Sequence, residues 1–168
     1  MYKASREFIK ARQKYSKYKL MVLDNVKKIG GGEPNKCFDN AYKQKVKAKK
    51  EGKDVMCISG WLVQPYNLKT RSVAIIQHWW NVDEDQNHFD STPTRSDEEY
   101  VLDFDLYDFA RINHDLISSN IGRSLLYQNG KFELLIDEEK MLFLEMDLLL
   151  TQRFFRYLPQ PTKEFVNE

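Results

Sequence analysis

Residues 72–92 read SVAIIQHWWNVDEDQNHFDST, and the reading of this stretch decides the expected fold. Ser72–Val82 is rich in β-branched and aromatic residues, Asp83–Asn87 is a polar turn cluster, and His88–Thr92 is a short second strand, so the stretch predicts a β-hairpin. In an antiparallel pair, residues equidistant from the turn centre sit opposite each other on one face. His78 and Asp90 are symmetric about position 84 and are therefore expected to be cross-strand neighbours. A slip of one residue would send one of them to the other face.

Upstream, Val55–Gln64 is short, apolar and bounded by polar residues, which predicts another strand, with Pro65–Thr70 as the connecting loop. Before it, Cys37–Lys50 reads as a helix with Phe38, Ala41, Tyr42 and Val46 on one side and Lys43, Lys47 and Lys50 on the other, ended by Gly52. Residues 4–29 read as one basic amphipathic helix or two short ones, stopped by Gly30, Gly31 and Gly32. Downstream, Ser96–Glu99 resembles a capping box, and residues 97–120 are expected to be mostly helical, although Val101–Phe109 also alternates like a strand. Asn129-Gly130 predicts a tight hairpin between Ser124–Gln128 and Lys131–Ile136. Asp137 then caps a helix to about Arg156, and Pro159 and Pro161 open a loose tail. The expected class is α+β in one domain, 1–168, with a basic helical segment 1–30, a core 35–93, a helical and hairpin part 94–158 and a tail 159–168.

A length of 168 residues suits one hydrophobic core, and 42% hydrophobic with 13% aromatic residues excludes a disordered chain. Charge is polarised: residues 1–53 carry 16 Lys and Arg against 5 Asp and Glu, whereas residues 54–168 carry 10 against 20. The basic part is suited to RNA, to an acidic protein or to the chain's own acidic half. Two cysteines make no disulfide framework, and Met1–Lys19 is too rich in Lys and Arg for the apolar stretch of a signal peptide. A reducing cytoplasmic location and no membrane span are expected, with oligomeric state left open.

Cys37 at a helix start, His78 in a strand and Asp90 in the next make a thiol nucleophile, its base and an orienting carboxylate. A free thiol is mostly protonated at neutral pH, and both a helix N-terminus and a neighbouring imidazolium lower its pKa. A structural reading of the same three residues is a buried thiol and a core histidine. A zinc reading is disfavoured because no Cys-x-x-Cys or His-x-x-x-His pair occurs, so no metal and no cofactor are expected. Gly30–Gly32 lack the Lys-Ser or Lys-Thr ending of a phosphate loop. Cys57, His88 and His114 have no partner at useful spacing and read as structural or surface residues.

The strings Lys36-Cys37-Phe38-Asp39-Asn40-Ala41, Ser59-Gly60-Trp61, His78-Trp79-Trp80-Asn81-Val82-Asp83 and Phe89-Asp90-Ser91-Thr92-Pro93 together resemble small bacterial and phage proteins of the transglutaminase-like and papain-like cysteine-enzyme superfamily. The resemblance covers residues 35–93. It implies a cysteine-bearing helix packed on an antiparallel sheet, with extra N- and C-terminal helices here. It also implies Cys37 as nucleophile, His78 as general base and Asp90 as orienting residue. Asn40 is implied to make a structural hydrogen bond, and Asn35, Trp61, Trp79 and Trp80 to bind substrate or support the site. Trp79 stands where the pattern has alanine, and Ser91 where it has proline. The bulky Trp79 either narrows the site or points to the opposite face of its strand. The backbone N–H of Cys37 is the expected oxyanion donor, with a second from Gly32–Asn35.

The function expected from these residues is a cysteine-dependent amide hydrolase or acyl transferase acting on a protein or other amide-containing substrate. The alternative is a non-catalytic binding protein on the same scaffold, holding an acidic protein or RNA through residues 1–53.

Overall fold

The structure, a computed structural model, describes residues 4–13, 16–112, 124–128 and 131–135. In chain order the elements are α1 (Ala4–Arg12), β1 (Met21–Leu23), β2 (Lys27–Lys28), α2 (Cys37–Lys50), β3 (Val55–Asn67), β4 (Ser72–Asp83), β5 (His88–Asp90), β6 (Glu99–Leu102), α3 (Phe104–Ile112), β7 (Ser124–Gln128) and β8 (Lys131–Leu135). This is an α+β fold around one curled, mixed sheet.

The strands run in the order β1-β6-β3-β4-β5-β2, with β7 paired to β4 and β8 to β7. β1 and β2 stand at opposite ends of that path, yet only residues 24–26 separate them. Six flat strands at about 4.8 Å spacing would put the two edges roughly 24 Å apart. Four extended chain steps reach at most about 14 Å. The sheet must therefore curl until its edges nearly meet. Its β2–β5 pairing is parallel, so the expectation of a purely antiparallel sheet is corrected.

Register assigns the two faces. Ile58 and Leu62 of β3, Trp80 and Val82 of β4, and Tyr100 and Leu102 of β6 form one apolar cluster, joined by Leu23 and Val26 from the closing link. This is the inside of the curl. Trp61, Val63, Val73, Ile75 and Val101 face outward and are covered by Phe8 of α1 and Leu106 of α3. Ala41 and Phe38 of α2 cover Trp79 on that same outer face. Tyr42 and Val46, which the periodicity puts on the apolar side of α2, are instead exposed.

Three expectations change. The N-terminal helix stops at Arg12 and does not run to residue 29. Gln13 accepts from the Leu20 N–H and donates to the Tyr18 carbonyl, turning the chain, and Met21–Leu23 then pairs with the β6 edge. Ser96–Glu99 opens no helix: the Glu99 carboxylate accepts from the N–H and hydroxyl of Ser5 in the first turn of α1, and Glu99–Leu102 is a strand. Asp103 begins α3 in its place, accepting the Leu106 N–H while also binding buried Arg12 and the Trp61 indole. Strand β3 also continues through Pro65 to Asn67, with a register irregularity there, which shortens the expected loop. The predicted strands β7 and β8 pair as expected, Gln128 opposite Lys131, while their Asn129-Gly130 turn, His114, the helix expected over 137–156 and the tail lie outside the described residues.

Candidate active site

Cys37 is the first residue of α2 and is partly exposed. No side chain caps this helix start, so its first N–H groups and the positive end of its dipole act on the thiol. The approach to the helix is pinned. Ile29 N–H donates to the Asp90 carbonyl at 2.9 Å and Gly32 N–H to the Ser91 carbonyl at 2.9 Å. Buried Asn40 accepts from the Glu33 N–H and donates to the Glu33 carbonyl and the Thr92 hydroxyl, at 3.0, 2.8 and 3.1 Å. The segment before Cys37 is thus tied to the strand that carries Asp90, and Asn40 makes three of the bonds that hold it there. A Cβ on Gly32 would lie 2.5 Å from the Ser91 carbonyl oxygen, so this close approach requires glycine.

His78 and Asp90 meet, but not through the expected register. Asn81 pairs with Phe89 and Val82 with His88, which centres the turn on Asp85 and, extended by one step, aligns Asp90 with Trp80 past the end of the pairing. The offset from the expected pairing is two residues, so both side chains keep one face and His78 is the diagonal neighbour of Asp90. His78 Nε2 lies 2.7 Å from Asp90 Oδ2, with both side chains buried. Asp90 also accepts from the Thr92 N–H on Oδ1 at 2.8 Å and from the Tyr100 hydroxyl on Oδ2 at 2.7 Å. The imidazole stacks on Trp80, 6.3 Å between centroids, and meets the Tyr100 ring edge-on at 6.1 Å. Trp80 is held in turn by its indole N–H on His88 Nδ1 at 3.0 Å. A side chain at Gly60 would collide with the Trp80 ring.

The His78 side chain and the backbone of Trp79 both act on the Cys37 thiol. With Nε2 facing Asp90, Nδ1 is the ring nitrogen open to sulfur. Among the described residues, β5 pairs with β4 only at Asn81 and Val82 and β7 only at Val73–Ile76, leaving residues 77–80 without a strand on that side. Sulfur, imidazole and carboxylate form a series running through His78 and do not surround a common point. Among the described residues no three His, Cys, Asp or Glu side chains are placed to hold a metal ion.

The electrostatics follow. Burial pushes the Cys37 thiol up, but the hydrogen bond and charge of His78 and the Trp79 N–H outweigh it and hold the pKa below the ordinary thiol value. Burial alone would lower His78, yet Asp90 and Cys37 together raise it to about 10. Asp90 is raised by burial and lowered further by His78, the Thr92 N–H and Tyr100, ending below the usual carboxylate range. These shifts act in the direction of a thiolate–imidazolium pair backed by a carboxylate. Cys57, by contrast, is pushed up by burial, with only the Lys45 charge opposing.

Comparison with protein-family models, curated proteins and solved structures finds no match.

The other expected site residues are distributed differently. Trp80 supports the imidazole. The Trp79 indole lies on the outer face against Phe38 and Tyr107, in the cluster on which Cys37 also packs. Trp61 belongs to the outer core, its indole N–H on Asp103 at 2.8 Å. Asn35 is exposed, with φ 60, and turns the chain into α2. Within Gly32–Asn35 the N–H groups of Gly32 and Glu33 are already given to Ser91 and Asn40, and Pro34 has none. Asn35 N–H is therefore the donor left in that segment beside the N–H of Cys37. Tyr100 and Thr92 escaped sequence reading. Tyr100 reaches Asp90 only because β6 pairs with β3, Tyr100 opposite Leu62, and no local pattern encodes that pairing.

Proposed function

We propose that the protein is a cysteine-dependent amide hydrolase or acyl transferase, a variant of the transglutaminase-like and papain-like arrangement, in which Cys37, His78 and Asp90 act as nucleophile, proton shuttle and orienting carboxylate. The observation that carries this is the 2.7 Å His78–Asp90 hydrogen bond, with the imidazole acting on Cys37 at a helix N-terminus. The Cys37 thiolate adds to an amide or thioester carbonyl carbon, and the resulting oxyanion is held by the N–H groups of Cys37 and Asn35. Collapse of the tetrahedral intermediate expels the amine or thiol leaving group, which takes the His78 proton, and leaves a thioester on Cys37. Water or a second amine then attacks the thioester while His78 takes its proton, and collapse expels the Cys37 thiolate beside the reprotonated imidazole. Asp90 keeps the ring oriented and stabilises its positive form throughout. Operation in the cytoplasm, where the thiol stays reduced, belongs to the same proposal. The test is labelling of a cell lysate with acyl-trapping probes using wild type and Cys37→Ala. A thioester adduct on Cys37 supports hydrolysis or transfer, whereas no adduct from any amide or thioester probe refutes it.

One feature favours a second reading. The outer face of α2 exposes Tyr42 (53%) and Val46 (38%) among exposed Lys43, Lys45, Lys47, Lys49 and Lys50. That surface suits an acidic protein segment or RNA, as a binding function without turnover would require. Binding of RNA or an acidic polypeptide by Cys37→Ala that falls steeply with salt and is lost in Lys45→Glu/Lys49→Glu would support it; salt-independent or absent binding would not.

A further inference from the structure

We infer that Tyr100 is a positioning residue of the site, one whose hydroxyl fixes the Asp90 carboxylate and limits how strongly that carboxylate holds the proton on His78. The inference rests on the proposed cysteine chemistry. Its basis is geometric. Two donors share one oxygen: the Tyr100 hydroxyl and His78 Nε2 each lie 2.7 Å from Asp90 Oδ2, while the Thr92 N–H holds Oδ1 at 2.8 Å. With both oxygens held, the carboxylate cannot rotate about its Cβ–Cγ bond without losing a bond in a buried setting, where an unmade hydrogen bond is expensive. Tyr100 itself is buried at 3% exposure and set by its pairing with Leu62, and its ring is packed edge-on against both His78 and Trp80. The hydroxyl cannot turn away from Asp90 except toward Thr94 Oγ1, 3.4 Å distant.

The electrostatic consequence has a definite sign. A donor on Oδ2 spreads the negative charge of Asp90 and leaves less of it for the imidazolium. Removing the hydroxyl while keeping the ring concentrates that charge on His78, whose proton is then held more tightly. The groups facing His78 are Cys37 from α2, Asp90 from β5, Tyr100 from β6 and, through its charge, Glu98; those facing Tyr100 are Asp90, Glu98 and Lys28, whose ammonium lies 6.0 Å from the ring centroid. Of these, Tyr100→Phe alters only the donor. Burial and the Asp90 charge push the Tyr100 hydroxyl pKa up, so it stays a donor across the working range.

The experiment is an NMR titration of the His78 ring nitrogens in the full chain, comparing wild type with Tyr100→Phe and with 3-fluorotyrosine incorporated at position 100. The midpoint for loss of the His78 proton should rise in Tyr100→Phe by about half a unit or more, roughly a threefold gain in proton affinity. It should fall with 3-fluorotyrosine, a stronger donor that keeps the wild-type packing and answers for any folding defect of the phenylalanine variant. Unchanged midpoints in both, or shifts of the opposite sign, overturn the role of Tyr100. Iodoacetamide labelling of wild-type Cys37 separates the two levels: labelling well below pH 8 with unmoved midpoints removes only Tyr100, whereas an inert Cys37 removes the cysteine chemistry and this role with it.

Discussion

Replacing Asp90 with Asn keeps the size of the side chain and removes its charge, which makes it the sharpest perturbation of the site. Asp90 accepts three hydrogen bonds, from His78, Thr92 and Tyr100, and the first reaches the imidazole beside the Cys37 sulfur directly. A hydrogen bond to a charged group contributes about 1.5–3 kcal/mol and a neutral one about 1, so the imidazolium loses on the order of 1–2 kcal/mol of support. That lowers the proton affinity of His78 by roughly 5- to 30-fold and tips the balance from thiolate and imidazolium toward thiol and imidazole. Part of the loss is returned, because the Asp90 charge also disfavours the thiolate directly. The net expectation is about a tenfold slower reaction of Cys37 with iodoacetamide at pH 6. The rate is followed by mass spectrometry of the Cys37 peptide, with circular dichroism showing that the fold is kept. A folded Asp90→Asn protein that reacts at pH 6 as fast as wild type would refute the claim that the carboxylate sustains the ion pair.

Gly32→Ala should destabilise the protein by about 2 kcal/mol, since its Cβ would sit 2.5 Å from the Ser91 carbonyl and 2.8 Å from the Asn40 amide and must push the entry loop off the Asp90 strand; urea denaturation measures this, and an unchanged midpoint would show that the loop is not pinned there. The pH dependence of stability should have a shoulder. Folded His78 keeps its proton up to about 10 against 6.5 for the ordinary side chain, so its contribution is full below 6.5 and is lost as pH rises through about 10, whereas folded Cys37 gives up its proton below the ordinary 9.0, so its contribution is full above 9.0 and is lost as pH falls through the lowered value. The two slopes oppose each other between the lowered Cys37 value and 9.0, and stability measured by urea titration should be nearly level there and decline from 9.0 through about 10. A steady rise across that upper window would contradict the raised His78.

The legible parts of this fold were those written locally. Helix Cys37–Lys50 is marked at both ends, by Pro34-Asn35 before it and Gly52 after it, and β4 by an unbroken run of β-branched and aromatic residues. The register beyond β4 was read two residues off, because the turn closes by Asp83 on Asn87, with Asp83 N–H on the Asn87 carbonyl and Asn87 N–H on Asp83 Oδ1, and so centres later than its acidic residues suggest. A two-residue error preserves the face of a strand, which is why His78 and Asp90 were still brought together. β1 and β2 were missed because strands of three and two residues carry no periodicity of their own and exist only through β6 and β5, far along the chain. Glu99 was misread for a similar reason: its carboxylate serves a helix 94 residues away and not the residues that follow it.

The central claim is that His78, supported by Asp90, lowers the Cys37 thiol below its ordinary value and favours its thiolate. The most direct measurement is the pH profile of iodoacetamide labelling at both cysteines of one sample, with Cys57 as the internal comparison. Cys37 should label rapidly well below pH 8 and lose most of that reactivity in His78→Gln, while Cys57 should react only as the pH approaches and passes the ordinary thiol value. Labelling of Cys37 that follows the same curve as Cys57, or that His78→Gln leaves unchanged, would contradict the account.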